Sequence, residues 1–389
     1  MRLITTQDEL AAFCAACARH PFVAVDTEFM RERTYWPQLC LVQLAHPGDD
    51  AEAAAAIDPL AEGLDLSPLF ALMADEGVLK VFHAARQDVE IFHHLGGAVP
   101  APLFDTQVAA MVCGYGDQVG YETLVRKIAR AGLDKSSRFT DWARRPLSDK
   151  QLAYALGDVT HLRAIYEKLS SRLAETGRGD WVAEEMAVLT DPRTYLCAPD
   201  EAWMRVKTRS TDRRFLACVQ TLAAWREREA QARDVPRSRL LKDDALLEIC
   251  SSRPRTAEEM GRLRLLQREG RKGDVAEAIL AALREAEAIP EALRPVAEER
   301  AEPKPGAAGL VELLKVLLRA RADDAGVAQK LIASSADLER LASEDEPDLP
   351  VLAGWRRDVF GADALRLKRG EIALTATRQG VRVVPTPVE

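Results

Sequence analysis

An α/β domain with a mixed sheet and flanking helices, followed by two small all-α domains, is the fold class this sequence predicts. Three observations lead there. Strand and helix patterns alternate through the first half, only helical patterns follow "DPRTYLCAPD", and a Pro/Ala/Glu-rich stretch, "PEALRPVAEERAEPKPGAAG", divides the helical half. The expected boundaries are 1–195 for the α/β domain, then 208–290 and 306–389 for the helical ones.

The opening "MRLITTQDELAAFCAACARH" has an amphipathic helix pattern started by a capping box, Thr6 to Glu9, rather than the pattern of a secretory leader. Leu10, Phe13, Cys14 and Cys17 fall on one helical face, and no second CxxC exists. The Cys14/Cys17 pair is therefore expected in the core, not on a metal or in a redox couple. Strand-like runs follow at Phe22–Asp26, Leu39–Ala45, Ala53–Ile57 and Val78–Phe82. The first three are too closely spaced for parallel crossovers, so antiparallel pairing is expected among them. Helical patterns lie near Gln87–Leu95, Thr106–Cys113, Tyr121–Ala129 and Asp149–Ser170. In the helical half a long helix is twice followed by a shorter piece, "RLLKDDALLEI" and later "KLIASSADLERL", which reads as two copies of one module.

Composition excludes several classes. Of 389 residues, 47% are hydrophobic and 29% charged, as in ordinary soluble domains. No apolar run approaches the roughly 18 residues of a membrane helix. The seven cysteines are scattered and odd in number, which argues for a reducing, cytoplasmic setting and against a disulfide scaffold. The net charge is −8, but residues 201–275 hold 18 Lys and Arg against 12 Asp and Glu, a local +6 that leaves −14 for the rest. An acidic part beside a basic part suggests that one gathers cations while the other meets an anion.

The acidic part has a pattern. In "FVAVDTEF", Asp26 and Glu28 alternate along a strand and so share the face of Phe22 and Ala24. Two readings compete: solvated acids beyond the strand, paired with Arg31 and Arg33, or carboxylates that need a cation between them. In "VFHAARQDVEIFHHLGG", Asp88 continues the stripe of Ile91, Phe92 and Leu95 toward the first helical turn; a helix-dipole role competes there. In "QLAYALGDVTHLRAIYEKL", Tyr154 and Asp158 sit one turn apart on the stripe of Leu162 and Ile165; a core Tyr–Asp pair is the alternative. Together the four acids and one tyrosine suit an all-oxygen site for Mg²⁺ or Mn²⁺. Two such ions about 4 Å apart are the usual machinery of phosphodiester hydrolysis. His83, His93 and His94 lack zinc-type spacing.

Five stretches in order, "VDTEF", "FHAARQDVEIF", "DTQVAAMVCGYG", "LDKSSRFTDWARRPLSDKQLAYA" and "YALGD", resemble the ribonuclease D family of the DEDD exonuclease superfamily, tyrosine subtype. The regions near 210–285 and 308–375 resemble the helicase-and-RNase-D C-terminal (HRDC) module, the second more divergently. The resemblance implies a ribonuclease-H-like fold with three antiparallel strands continued by parallel ones. It implies that Asp26, Glu28, Asp88 and Asp158 hold two Mg²⁺ or Mn²⁺ ions, with Asp26 bridging, Glu28 and Asp158 on one ion and Asp88 at the other. It also implies that Tyr154 orients the attacking water, and that 5′-mononucleotides leave stepwise from an RNA 3′ end, as in tRNA maturation. A DNA exonuclease and a non-catalytic nucleic-acid adaptor are the alternatives.

RNA is the partner expected, with tRNA precursors and other structured 3′ ends foremost; no membrane and no obligate protein partner are expected. In the first helical segment Arg237, Arg239, Lys242, Arg253 and Arg255 are candidates for phosphate contact, set against a solvated helix face. Phe29 is a candidate for stacking on the terminal base, or a core residue. Lys135, Arg138, Arg144 and Arg145 form a further basic cluster, split between phosphate contact and plain surface.

Overall fold

The structure is a computed structural model that describes residues 1–48, 52–133, 137, 140–266, 273–297 and 306–386. Its first part is a six-stranded sheet built from β1 (Leu3–Ile4), β2 (Phe22–Met30), β3 (Gln38–Ala45), β4 (Ala54–Ile57), β5 (Leu79–Phe82) and β6 (Leu103–Asp105), in the order β1-β4-β3-β2-β5-β6. Strands β2, β3 and β4 pair antiparallel, whereas β5 and β6 continue from β2 in parallel. The acids of β2 lie within the strand, not beyond it. Pairing with β3 runs on through Glu28↔Leu41 to Met30↔Gln38, with a bulge between Glu28 and Phe29.

Side-chain alternation gives the sheet two different faces. Val23, Val25, Val42 and Leu44 pack toward α1 (Gln7–Cys17), α2 (Ser67–Ala74) and α3 (Arg86–Gly96). In α1 the predicted capping box takes another form: the Thr6 hydroxyl donates to the Glu9 carboxylate at 2.7 Å and caps no backbone group. Cys14 and Cys17 are buried free thiols, and burial pushes both up to about 12, which leaves them inert. The chain continues through α4 (Thr106–Val112), α5 (Tyr121–Leu124, extended by a π-helical turn to Ala129), α6 (Asp149–Thr176) and α7 (Gly179–Thr190). Helix α6 covers the second face, where Phe22, Ala24, Leu41 and Ala45 meet Leu152, Ala155, Leu156 and Val159. It starts sharply because Ser148 and Gln151 form a reciprocal capping box.

The first helical segment comprises α8 (Arg213–Ala232), α9 (Arg237–Leu240), α10 (Asp243–Ser252), α11 (Ala257–Gly261) and α12 (Gly273–Ala288), with a core of its own. Its link to the α/β domain is a polar clamp on the β2–β3 connection. Asp234 accepts from the backbone N–H groups of Tyr35 (3.0 Å) and Trp36 (2.9 Å). The Tyr35 hydroxyl donates to buried Glu227 and accepts from Arg237 at 2.9 Å, while Trp36 stacks on His94 at 4.0 Å.

The second segment holds α13 (Ala307–Ala325), α14 (Gln329–Ile332), α15 (Ser335–Ser343), α16 (Gly354–Arg356) and α17 (Ala362–Lys368). It then closes with an antiparallel hairpin, β7 (Ile372–Thr377) and β8 (Gly380–Pro385), which the helical reading did not include. The order long helix, single turn, shorter helix recurs: 20, 4 and 10 residues in α8–α10, then 19, 4 and 9 in α13–α15. Unlike the first segment, the second shares a core with the α/β domain, where Val112 and Val182 meet Leu314, Leu317 and Trp355. Trp181 stacks on Trp355 at 4.4 Å, and Arg178 bridges the carbonyls of Val112 (3.1 Å) and Ala325 (2.6 Å). At Gly114, φ +79°, an added Cβ would lie 2.6 Å from the carbonyl oxygen of Gly326, so the two backbones meet with no room for a side chain. Among the described residues, no helix is long and apolar enough to cross a membrane.

Candidate active site

The sheet delivers carboxylates to one place. Asp26 and Glu28 continue the β2 face that carries Phe22 and Ala24, the face covered by α6. On α6, Tyr154 packs against that cluster and Asp158 follows one turn later. Carboxylate oxygens of Asp26, Glu28 and Asp158 all lie within 4.8 Å of one another. Asp88, buried in the first turn of α3, stands beside the trio and accepts a hydrogen bond from the Thr27 hydroxyl.

The electrostatics follow from this crowding. Burial, then the charges of Asp158, Asp88 and Glu28, hold the Asp26 carboxyl well above the usual range. Burial and the same neighbours Asp158 and Asp88 push Glu28 up to about 8. Burial pushes Asp88 up to about 7, against the lowering effect of the Thr27 hydroxyl. Among the described residues, the charges that raise Asp26 and Glu28 come from neighbouring carboxylates. Arg31, offered by the sequence as a neutralising partner, instead makes a two-pronged pair with Glu90 at 2.7 and 2.8 Å. A cluster of carboxylate oxygens suits a hard divalent ion.

Two residues in this architecture escaped the sequence reading. Asp105, buried at the end of β6, accepts from the N–H groups of Ala84 (3.0 Å), Ala85 (2.8 Å) and Gln107 (2.7 Å). It thereby fixes the entry to α3, and with it Asp88. The acid before "TQVAA" in a helix-start position was the available signal. Tyr121 donates to the Gly157 carbonyl at 2.9 Å, bracing α6 one residue before Asp158. Burial, then Asp158 and Asp26, raise its own hydroxyl pKa.

The basic candidates separate. Arg145 is committed to Asp58 (2.6 and 2.7 Å) and to the Cys40 carbonyl (2.7 Å), so it pins the fold rather than a phosphate. Arg144 is exposed, whereas Lys135 and Arg138 lie outside the described residues. Arg237 is held by Glu227 and Tyr35, and Arg253 pairs with Asp212 at 3.1 Å. Arg239, Lys242 and Arg255 are exposed. Lys242 lines a cleft of about 600 Å³ between the β2–β3 connection and the first helical segment, together with Arg31, Arg205 and Arg237. Phe29, past the bulge, is half-buried against the core of the opposite sheet face.

Comparison with known proteins agrees with this layout. The family model described as 3′-5′ exonuclease matches residues 1–174, and the HRDC domain model matches 215–286. A protein named ribonuclease D from Jannaschia sp. (strain CCS1) is 58% identical over 381 residues, 98% of each chain. One of that name from Bartonella henselae is 43% identical over 373 residues, 96% of this chain and 91% of that one. Among solved structures, Escherichia coli RNase D, titled an exoribonuclease involved in structured RNA processing, is 32% identical. It superposes with a TM-score of 0.80 over 94% of this chain and 98% of that one.

Proposed function

This chain belongs to the ribonuclease D family, and from that premise we propose that it is a 3′-5′ exoribonuclease releasing 5′-mononucleotides from structured RNA, tRNA precursors foremost. The observation that carries the reading is the convergence of Asp26, Glu28 and Asp158 within 4.8 Å, with Tyr154 one turn before Asp158. Asp26, Glu28, Asp88 and Asp158 would hold the divalent ions, two Mg²⁺ or Mn²⁺ per site. When bound, such ions stabilise charge on the scissile phosphate and make water acidic enough to attack.

The chain's own groups do the rest. Tyr154 orients the attacking water through its hydroxyl, in line with the departing 3′ oxygen. The phosphate then stays on the 5′ carbon of the released nucleotide. Thr27 and Asp105 keep Asp88 in place from two sides. Exposed Lys242 and Arg239 neutralise phosphates of the incoming strand without reading its sequence. The two helical segments are copies of one HRDC-type module, the second grown onto the catalytic domain. Seven free thiols, six of them buried, fit a reducing cytoplasm.

The test is product analysis on one 3′-labelled structured RNA and its DNA counterpart, with and without Mn²⁺. Labelled mononucleotides from RNA, only with metal, are the expected result. Equal cleavage of the DNA would make the protein a general exonuclease. Binding without cleavage would make it an adaptor.

A further inference from the structure

Gln43 is a polar side chain without a role in the account so far. It lies in the middle of β3, is fully buried, and neither Nε2 nor Oε1 has a hydrogen-bond partner. Its neighbours along the strand on the same face are Leu41 and Ala45, and across β4 it faces Ala56. Ala155 and Val159 of α6 belong to the same apolar cluster. Across β2 its register partner is Asp26. Directly opposed residues of antiparallel strands carry their Cβ atoms about 5 Å apart on one face, within reach of a glutamine amide. An enclosed amide therefore sits among apolar groups with one polar cross-strand neighbour, the acid at the centre of the cluster.

Leaving a buried amide unbonded is expensive, and a methionine of similar shape would avoid the cost. A role in the metal-loaded protein accounts for its presence. We propose that Gln43 is a positioning residue for Asp26: its amide N–H would donate to the Asp26 carboxylate when a divalent ion is bound, fixing the carboxylate for coordination. Such outer partners are general for ligating carboxylates and set both orientation and affinity. The inference rests on the metal-dependent reading of the site given above.

The test titrates Mn²⁺ calorimetrically into metal-free wild type, Gln43→Met and Gln43→Leu, and records melting without metal. Both substitutions remove the amide, and the second guards against a misfit of the first. Metal-free melting should equal or exceed that of wild type, because no bond is lost there. Mn²⁺ affinity should weaken by about 10-fold, and kcat on a short RNA should fall with KM unchanged. Wild-type affinity and kcat in both variants would make Gln43 a packing residue and overturn the inference. So would a large loss of metal-free melting temperature in both, since the amide would then have a partner without metal. If wild type itself takes up no Mn²⁺, the metal reading of the site fails, a result distinct from either.

Discussion

The Thr27 hydroxyl donates to the Asp88 carboxylate, tying β2 to the first turn of α3. The middle residue of the Asp26-Thr27-Glu28 triplet is thus engaged. Its neighbours in sequence face α6 and the trio of acids, while Thr27 secures the fourth acid. The bond also lowers the pKa of Asp88, opposing the burial that raises it. The cluster of acids thus rests on strand alternation in β2, on helical spacing in α6 and on one hydroxyl.

Asp26→Asn should abolish hydrolysis and leave the fold intact. It removes a carboxyl whose ionisation burial and the neighbouring acids oppose, so melting without metal should rise and the shift on adding Mn²⁺ should shrink. Wild-type-like cleavage by this variant would remove Asp26 from the chemistry.

Tyr154→Phe should lower kcat by roughly 10²-fold, the scale of losing a water-orienting hydroxyl, while calorimetric metal binding is retained. Lost metal binding would mark the tyrosine as structural. An unchanged rate would mark it as a packing residue against Trp142, whose ring centre lies 6.1 Å away.

The metal-free protein should lose stability as pH rises through neutrality. Glu28 moves from 4.5 to about 8 and Asp88 from 3.8 to about 7 in the folded chain. Between those values the folded state holds protons that the unfolded state has released, so stability falls with rising pH. Saturating Mn²⁺ should flatten this slope by taking the place of the protons. Melting curves with chelator and with Mn²⁺ across this range provide the check, and parallel curves would contradict the assignment.

Glu227→Gln should loosen the clamp between the α/β domain and the first helical segment. Burial works to raise this carboxyl, but hydrogen bonds from Arg237, Tyr35 and Cys197 outweigh it and hold it at about 2. Its contribution is therefore complete above the ordinary glutamate value of 4.5 and fades only as pH falls toward 2. Breaking one partner of such a buried pair costs about 3 kcal/mol. Urea unfolding followed by tryptophan fluorescence would show a loss at pH 7 and a smaller one in strong acid.

Replacing both Arg239 and Lys242 by alanine should weaken binding of single-stranded RNA without changing its sequence preference. Two lost phosphate contacts should make the slope of log affinity against log salt shallower by roughly one to one and a half. An unchanged slope would place the strand elsewhere.

Much of this was legible in the sequence, for identifiable reasons. Asp26 and Glu28 announce a shared face by alternation alone, and Tyr154 with Asp158 by helical spacing. The strand-like pattern runs only from Phe22 to Asp26, because the apolar residues stop at Val25. Pairing with β3 overrides that local signal through Met30. The strands β1 and β6 span two and three residues, too short for any periodicity. Arg237 and Arg145 could not be told from surface bases, because their partners Glu227 and Asp58 lie 10 and 87 positions away. Nothing in the sequence singles out Gln43, because only the strand register sets it opposite Asp26.

The contact between Gly114 and Gly326 bears on how such a chain can change over generations. A gene cut after residue 199 would still encode every proposed catalytic side chain. It would nonetheless expose the apolar ground around Val112 and Trp181 on which the distant helices rest. The catalytic domain and its last segment thus share one apolar interior, whatever their separation in sequence. The first helical segment, held by a polar clamp and owning its core, could be removed without opening that interior. A chain without the last segment would need polar residues at positions 112 and 181 to face water, and its glycine at 114 would be released from its constraint.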